Sequence, residues 1–140
     1  MILESAMLCL ALNVFHESRG QAIPVQEAVA QVTMTRANYD EKNICNVVLQ
    51  PKQFSWANRI TAAPKQQRMK LLMARLPKSS NKEWQESQFV ALRTLQGDVV
   101  SKVFGASHFY NIKTDNPAWK RRLLFIARVG PFVFMKTRET

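Results

Sequence analysis

The sequence lacks an apolar run long enough to cross a membrane. A spanning helix needs about 20 mostly apolar residues, and none of that length occurs in these 140 residues. The first fifteen residues, MILESAMLCLALNVF, also lack the basic start of a secretory signal peptide, because their first charge is Glu4. We therefore predict a mature helix at this position and a chain made in the cytoplasm.

Histidine and cysteine are scarce. The two His and two Cys, at positions 9, 16, 45 and 108, match no common zinc spacing. His16-Glu17 begins like the H-E-x-x-H motif of zinc proteases, but Gly20 stands where the second histidine belongs. We expect no metal and no cofactor. A disulfide between Cys9 and Cys45 is not expected in a reducing compartment, and the position of Cys9 in an apolar run indicates a small core residue.

Acidic residues are few in the second part of the chain. Residues 1–50 hold three Lys or Arg and five Asp or Glu, a net charge of −2, whereas residues 51–140 hold seventeen and five, a net charge of +12. This asymmetry indicates a polyanionic partner. An anionic bacterial wall or outer-membrane surface fits. A basic nucleic-acid-binding protein, suggested by KRR at 120–122, stays an alternative, although no nucleic-acid motif occurs.

Hydrophobic periodicity predicts one mainly helical α+β domain over residues 1–140. Two apolar stripes predict a central helix over residues 3–17 that ends near Gly20. Further helices are predicted from Pro24 to about residue 38, between Pro64 and Pro77, and from a capping box at residues 80–83 to residue 97. Spacing predicts that the first of them buries Val25, Ala28, Val29 and Val32, and that the last packs through Trp84, Ala91, Leu92 and Leu95. Residues 39–56 are predicted to be irregular. Two short strands are predicted around the turn at residues 130–131, in LLFIARVGPFVFMK, and a helical start from Pro117 to Leu124 is an equal alternative.

Glu17 is the first candidate for a functional residue. A glutamate at a helix C-terminus opposes the macrodipole, which favours cations such as His16 and Arg19 there. At the end of a nearly apolar helix its carboxyl is poorly solvated, and desolvation raises the pKa of an acid. A protonated carboxyl can donate a proton to a glycosidic oxygen. The competing interpretation is an isolated charge at a helix end, which is common in proteins.

Five segments in order resemble the spore-cortex-lytic, or cell-wall hydrolase, family. They are LALNVFHESRGQ, EAVAQVTMTR, ICNVVLQPKQFSW, GASHFYN and ARVGPFVF, and they span residues 10–134. The resemblance implies a lysozyme-like, lytic transglycosylase-like fold, peptidoglycan as substrate, and a catalytic glutamate at Glu17. The family often has Glu-Ala and then Gly-Glu, whereas this chain has Glu17-Ser18 and Gly20-Gln21.

The same resemblance favours a set of substrate-binding residues in two loops. Amides and hydroxyls can bind sugar hydroxyl and N-acetyl groups, and aromatic rings can stack on sugars. The candidates are Gln53, Ser55, Tyr110 and Asn111, with His108 either binding substrate or holding the loop. Phe54 and Trp56 are expected to be core anchors, since aromatic side chains dominate cores.

The chemistry depends on whether a second carboxylate is present. Most glycosidases use two, and the candidates here are Glu27, Asp40, Glu41, Asp98 and Asp115, of which Asp40-Glu41 is favoured. A lytic transglycosylase needs only Glu17, and we favour that route over a muramidase. The prediction is a monomeric phage endolysin, held in the host cytoplasm until release. An N-acetylmuramoyl-L-alanine amidase is a further alternative.

Overall fold

The protein is described by a computed structural model that covers residues 2–50 and 54–138, with side chains from residue 6 onwards. Over these residues six α-helices precede a three-stranded sheet, and the second helix packs against it. The helices are α1 (Ile2–Ser18), α2 (Ile23–Arg36), α3 (Glu41–Val48), α4 (Asn58–Thr61), α5 (Arg68–Ala74) and α6 (Lys82–Leu95), and the strands are β1 (His108–Asn111), β2 (Leu124–Val129) and β3 (Phe132–Lys136). The predicted class, mainly helical with a small β element, is confirmed.

Helix α1 lies at the centre of the helical part. It packs against α2, α3 and α6. Leu10 and Val14 lie one turn apart on one side of the helix and Leu12 lies on the opposite side, and all three are fully buried. The two apolar stripes therefore identified a helix that is covered on most sides, as predicted. Among the described residues, no helix combines the length and the apolar character needed to cross a membrane.

Helix α2 joins two hydrophobic clusters. Ala30 and Met34 face the cluster built around α1. Val25, Val29 and Val32 face a second cluster formed with the sheet. The proline at the second position of α2 suits a helix start. The buried valine face was predicted from spacing alone and is confirmed.

The prediction of an irregular segment over residues 39–56 is wrong in its first part, where α3 forms. Asp40 caps α3 by accepting a hydrogen bond from the Lys42 amide at 3.0 Å. Ile44 and Val48, one helical turn apart, are both buried against α1. The β-branched residues in ICNVVL concealed this spacing, because they favour strands in isolation and are overridden here by packing.

The expectation of free cysteines is also wrong, because Cys9 and Cys45 form a disulfide. The packing of α3 on α1 brings their Cα atoms within 5.3 Å, inside the range that a bridge requires. The bridge therefore fastens α3 to the helix that carries Glu17. The sequence prediction followed from the assumed reducing compartment and not from the fold.

Helix α6 begins one residue later than the predicted capping box implied. Its N-cap is Asn81, which accepts a hydrogen bond from the Trp84 amide at 3.0 Å. Trp84 and Ala91 are buried as predicted, whereas Leu92 is 47% exposed. Between Pro64 and Pro77 the chain forms a 3₁₀ turn (Lys65–Gln67) and the short helix α5.

The sheet has the order β1-β3-β2, and both pairings are antiparallel. Strands β2 and β3 form the predicted hairpin about Gly130, whose φ of +57° suits glycine at the turn. Strand β1 was not predicted. Its residues Tyr110 and Asn111 pair with Val133 and Phe132 of the central strand, and this pairing fixes the strand beside the end of α1.

Candidate active site

Glu17 lies in the last turn of α1, at the wall of a cavity of about 500 Å³. The chain turns away immediately after it, at Gly20, whose φ of +81° is left-handed. The neighbouring Ser18 is buried and donates its hydroxyl to the Val14 carbonyl at 2.8 Å. The Ser18 hydroxyl is thus occupied within the helix, while the carboxyl of Glu17 faces the cavity.

The environment of Glu17 favours the protonated acid. Burial is the larger cause and the nearby negative charge of Asp115 the smaller, and together they raise the pKa of Glu17 from 4.5 to about 7. The desolvation argued from the apolar helix is therefore present in the structure. Near neutral pH this carboxyl can therefore exist in both protonation states. A group that first donates a proton and then accepts one must be able to do so.

His16 does not act as the cation expected at the end of α1. Its ring stacks on Trp56 with the centroids 4.6 Å apart. Burial, with the positive charges of Arg75 and Arg19, lowers the pKa of His16 to about 4. The imidazole is therefore neutral at pH 7 and serves as a packing group beside Glu17.

Trp56 is an anchor for the helix that carries Glu17. Its indole Nε1 donates to Asn13 Oδ1 at 2.9 Å, and the Asn13 amide in turn lies 3.4 Å from Thr33 Oγ1 of α2. Asn13 is fully buried, so its polar atoms need these partners. The expected structural role of Trp56 is thus confirmed.

Strand β1 supplies the opposite wall of the cavity. His108, Tyr110 and Asn111 all line it, together with Trp119. His108 Nδ1 lies 2.8 Å from Ser107 Oγ, and the Trp119 ring contacts both the His108 ring and, edge-on, the Tyr110 ring. Burial and Arg36 lower the pKa of His108. The three residues proposed from SHFYN therefore meet in the cavity that Glu17 also faces.

Asp115 enters the cavity through a turn that follows β1. The Asp115 amide donates to the Asn111 carbonyl at 2.8 Å, and Asn111 Oδ1 accepts from the Lys113 amide at 2.9 Å. The side chain of Asn111 therefore helps to hold this turn. Asp115 faces the cavity as a second carboxylate, whereas the favoured candidate Asp40 is instead the cap of α3.

The QPKQFSW loop contributes differently from the prediction. Gln53 lies outside the described residues. Ser55 is exposed and begins a short 3₁₀ turn, and it is not among the described residues that line the cavity. Phe54, which is 5% exposed, does line it. In this loop, Phe54 and not the hydroxyl of Ser55 therefore lines the cavity.

Arg36 and Trp119 also line the cavity and were not singled out from the sequence. Arg36 ends α2 and donates to Gln50 Oε1 at 3.1 Å. The sequence did not distinguish Arg36 as a site residue, because basic residues are common in the last turn of a helix. Within residues 2–50 and 54–138, no group of three His, Cys, Asp or Glu residues is arranged to hold a metal ion.

Two solved structures of SleB catalytic domains have this fold. The catalytic domain of the germination-specific lytic transglycosylase SleB from Bacillus anthracis matches with a TM-score of 0.69 and 19% identity, covering 95% of each chain. The catalytic domain of the Bacillus cereus SleB protein matches with a TM-score of 0.67 and 20% identity, covering 95% of this chain and 91% of that one. The fold is therefore that of a SleB-type catalytic domain.

A family model described as cell wall hydrolase matches residues 20–135. The chain belongs to the cell wall hydrolase family. The matched region begins just after Glu17, so the assignment of that residue depends on the cavity and on the resemblance of the preceding segment. A comparison with curated proteins gave no significant match.

Proposed function

We propose that this enzyme cleaves peptidoglycan glycan strands between N-acetylmuramic acid and N-acetylglucosamine, with Glu17 as the general acid. The observation that carries the proposal is a carboxyl with a pKa of about 7 facing a cavity lined by aromatic and amide side chains. Membership of the cell wall hydrolase family supports the choice of substrate.

The favoured reaction is that of a lytic transglycosylase. Glu17 gives its proton to the glycosidic oxygen as the bond from that oxygen to C1 of the muramic acid breaks. The resulting carboxylate then takes the proton of the muramic acid 6-hydroxyl, whose oxygen forms a bond to C1 and closes a 1,6-anhydro ring. One residue serves as acid and then as base, and no water is consumed. The name of the SleB structure, a lytic transglycosylase, supports this route.

Hydrolysis by a muramidase is the second candidate, and Asp115 is the observation that favours it. This carboxylate lines the same cavity and lies near enough to raise the pKa of Glu17. Glycosidases with two carboxylates use the second one as a nucleophile or to activate water. Asp115 would take that part, and the product would carry a reducing muramic acid end.

Tyr110 and Asn111 are proposed to contact the sugar from β1, and Trp119 offers a ring on which a sugar can stack. His108 is proposed to bind substrate through its neutral ring. Gln53 and Ser55 remain predictions from the sequence, and Ser55 is not among the described residues that line the cavity.

The proposed biological role is that of a phage endolysin, acting as a monomer and released from the host cytoplasm to the wall. The net charge of +10 would attract the enzyme to anionic wall or membrane surfaces. Because salt screens such attraction, lytic activity is expected to fall as ionic strength rises. Activity that is insensitive to salt would contradict this part of the proposal.

Mass spectrometry of digested peptidoglycan tests the reaction. Anhydro-muramic ends are expected, and Glu17→Gln should abolish them. Glu27→Gln is the matched control, because Glu27 is on α2 and outside the cavity lining. Reducing muramic ends would instead establish hydrolysis, and free stem peptides would establish an amidase. Intact peptidoglycan together with a gel shift of nucleic acid would support the nucleic-acid-binding alternative.

A further inference from the structure

Helix α5 and the residues after it expose a group of apolar side chains. Met69 is 37% exposed, Leu71 36%, Met73 57% and Leu76 39%. Met69 and Met73 are spaced i, i+4, which places them along one flank of α5, whereas Leu71 lies on the other flank and Leu76 follows the end of the helix. We call these four residues the α5 surface. Solvent-exposed apolar residues occur singly on most proteins, but a contiguous group indicates a binding surface.

The helix is attached to the domain by a small part of its circumference. Leu72 is fully buried and joins the cluster around α1. The principal packing partners of α5 are α4 and the Lys65–Gln67 turn, its neighbours in the chain. Arg68 secures the start of α5 by donating to the Thr61 carbonyl at 2.9 Å. The α5 surface therefore flanks the buried side of a helix that is held in place, and Lys70 lies on its outer side.

The apolar area continues beyond the helix into a groove of about 710 Å³. Met73 and Leu76 form part of its lining, and Leu92 and Leu95 of α6 form another part. The lining includes one carboxylate, Glu41, and is otherwise largely apolar. The α5 surface is thus the edge of a larger apolar region that the described chain leaves open.

Positive charge surrounds this region. Between residues 54 and 82 the sequence holds seven Lys or Arg and no Asp or Glu. Lys65, Lys70, Arg75 and Lys78, on both sides of the apolar residues, are exposed. Helices with exposed apolar residues beside Lys and Arg bind at the boundary between lipid headgroups and acyl chains when the lipids are anionic.

We propose that the α5 surface binds a bilayer that contains anionic phospholipids. Met69 and Met73 enter the headgroup–acyl boundary, and the surrounding Lys and Arg contact lipid phosphates. Flexible methionine side chains suit a disordered apolar partner. A wall polymer would account for the cations but not for the exposed apolar side chains. This inference goes beyond the proposed function, because it depends on neither Glu17 nor glycan cleavage.

Side-chain contacts connect the α5 surface to the end of α1 that carries Glu17. Arg75, next to the surface, places its guanidinium 6.0 Å from the centroid of the Trp56 ring. Trp56 in turn stacks on His16, the neighbour of Glu17. When this protein is bound to a bilayer through α5, the end of α1 would lie close to the membrane. The enzyme would then reach the glycan strands nearest to the membrane.

The test is sedimentation with vesicles, using the full chain and no peptidoglycan. We expect the protein to sediment with vesicles of mixed phosphatidylglycerol and phosphatidylethanolamine, to stay in solution with phosphatidylcholine, and to dissociate at high salt. The double variant Met69→Ser/Met73→Ser should lower the partition coefficient at least tenfold, because both side chains lose apolar burial. Lys70→Gln should lower it about fivefold, the effect of one cation near an anionic surface.

Two control variants distinguish vesicle binding by the α5 surface from non-specific electrostatic or hydrophobic binding by other parts of the protein. Phe125, in β2, is 62% exposed, and Lys102 is exposed outside the basic segment. Phe125→Ser and Lys102→Gln are expected to leave vesicle binding unchanged, and circular dichroism confirms that each variant is folded. Equal losses in the control variants, equal binding to phosphatidylcholine, or binding to dextran sulfate without binding to vesicles would each overturn the proposal.

Discussion

Replacing Glu17 by glutamine tests the chemistry and the electrostatics of the site together. Glutamine keeps the size of the side chain but has no acidic proton to transfer to the glycosidic oxygen. General acid catalysis contributes about 10²- to 10⁴-fold to a rate, so we expect Glu17→Gln to lower the rate of glycan cleavage at least 100-fold. Since the variant retains the shape of the cavity, binding to insoluble peptidoglycan is expected to change much less than the rate.

The same substitution should raise stability at alkaline pH. The pKa of Glu17 is about 7 in the native protein and 4.5 in the unfolded reference. Between these values the native state holds a proton that the unfolded state has lost, so native stability falls as pH rises from 4.5 to 7. At about 1.4 kcal/mol per pH unit the loss reaches about 3 kcal/mol above pH 7. Glutamine cannot ionise and avoids this loss.

The assay is urea unfolding of the native protein and of Glu17→Gln at several pH values, alongside digestion of purified peptidoglycan by each. The free energies of unfolding should agree near pH 4, and the variant should be more stable by up to about 3 kcal/mol at pH 8. Glu27→Gln, outside the cavity lining, should show neither the gain in stability nor the loss of activity. A parallel pH dependence in the native protein and Glu17→Gln would refute the raised pKa. Full lytic activity in Glu17→Gln would refute the assignment of the acid.

Three further outcomes are expected. Asp115→Asn removes a negative charge near Glu17 and lowers its pKa, so the alkaline limb of the activity profile should move to lower pH with the maximal rate retained. A fall of 100-fold or more in that rate would instead favour hydrolysis. Reducing the bridge between Cys9 and Cys45, 36 residues apart, should lower the free energy of unfolding by about 4 kcal/mol, and an unfolding midpoint unchanged by reductant would contradict it. Trp56→Phe should cost about 1–3 kcal/mol in urea unfolding, because it leaves a buried amide oxygen of α1 without its indole donor; a variant as stable as the native protein would contradict that role.

The sequence was most informative where one periodicity acted alone. Helix α1, the valine face of α2 and the hairpin at Gly130 followed from spacing and turn residues, and the structure confirms them. Helix α3 was missed because its β-branched residues favour strands locally, and its helical form depends on packing against α1. The disulfide was missed for the related reason that only the same packing brings Cys9 to Cys45.

The candidate site was predictable in part. The desolvation of Glu17 could be argued from the apolar residues before it, and Tyr110 and Asn111 from their resemblance to a family segment. Asp115 could not be distinguished from the other carboxylates by sequence, because a turn anchored on Asn111 carries it into the cavity. Such placement depends on tertiary contacts that no local pattern records.

Helix α2 separates the two walls of the candidate active site. Glu17 is carried by α1, at the centre of one hydrophobic cluster, and Tyr110 is carried by the sheet, which forms the other. Helix α2 contributes buried side chains to both clusters. The width of the cleft is therefore determined by the thickness of one helix and its packing on each side. Ala28 is fully buried in the sheet-side cluster and outside the cavity lining, so a larger side chain there would change the distance between the two walls without altering any residue that lines the cavity.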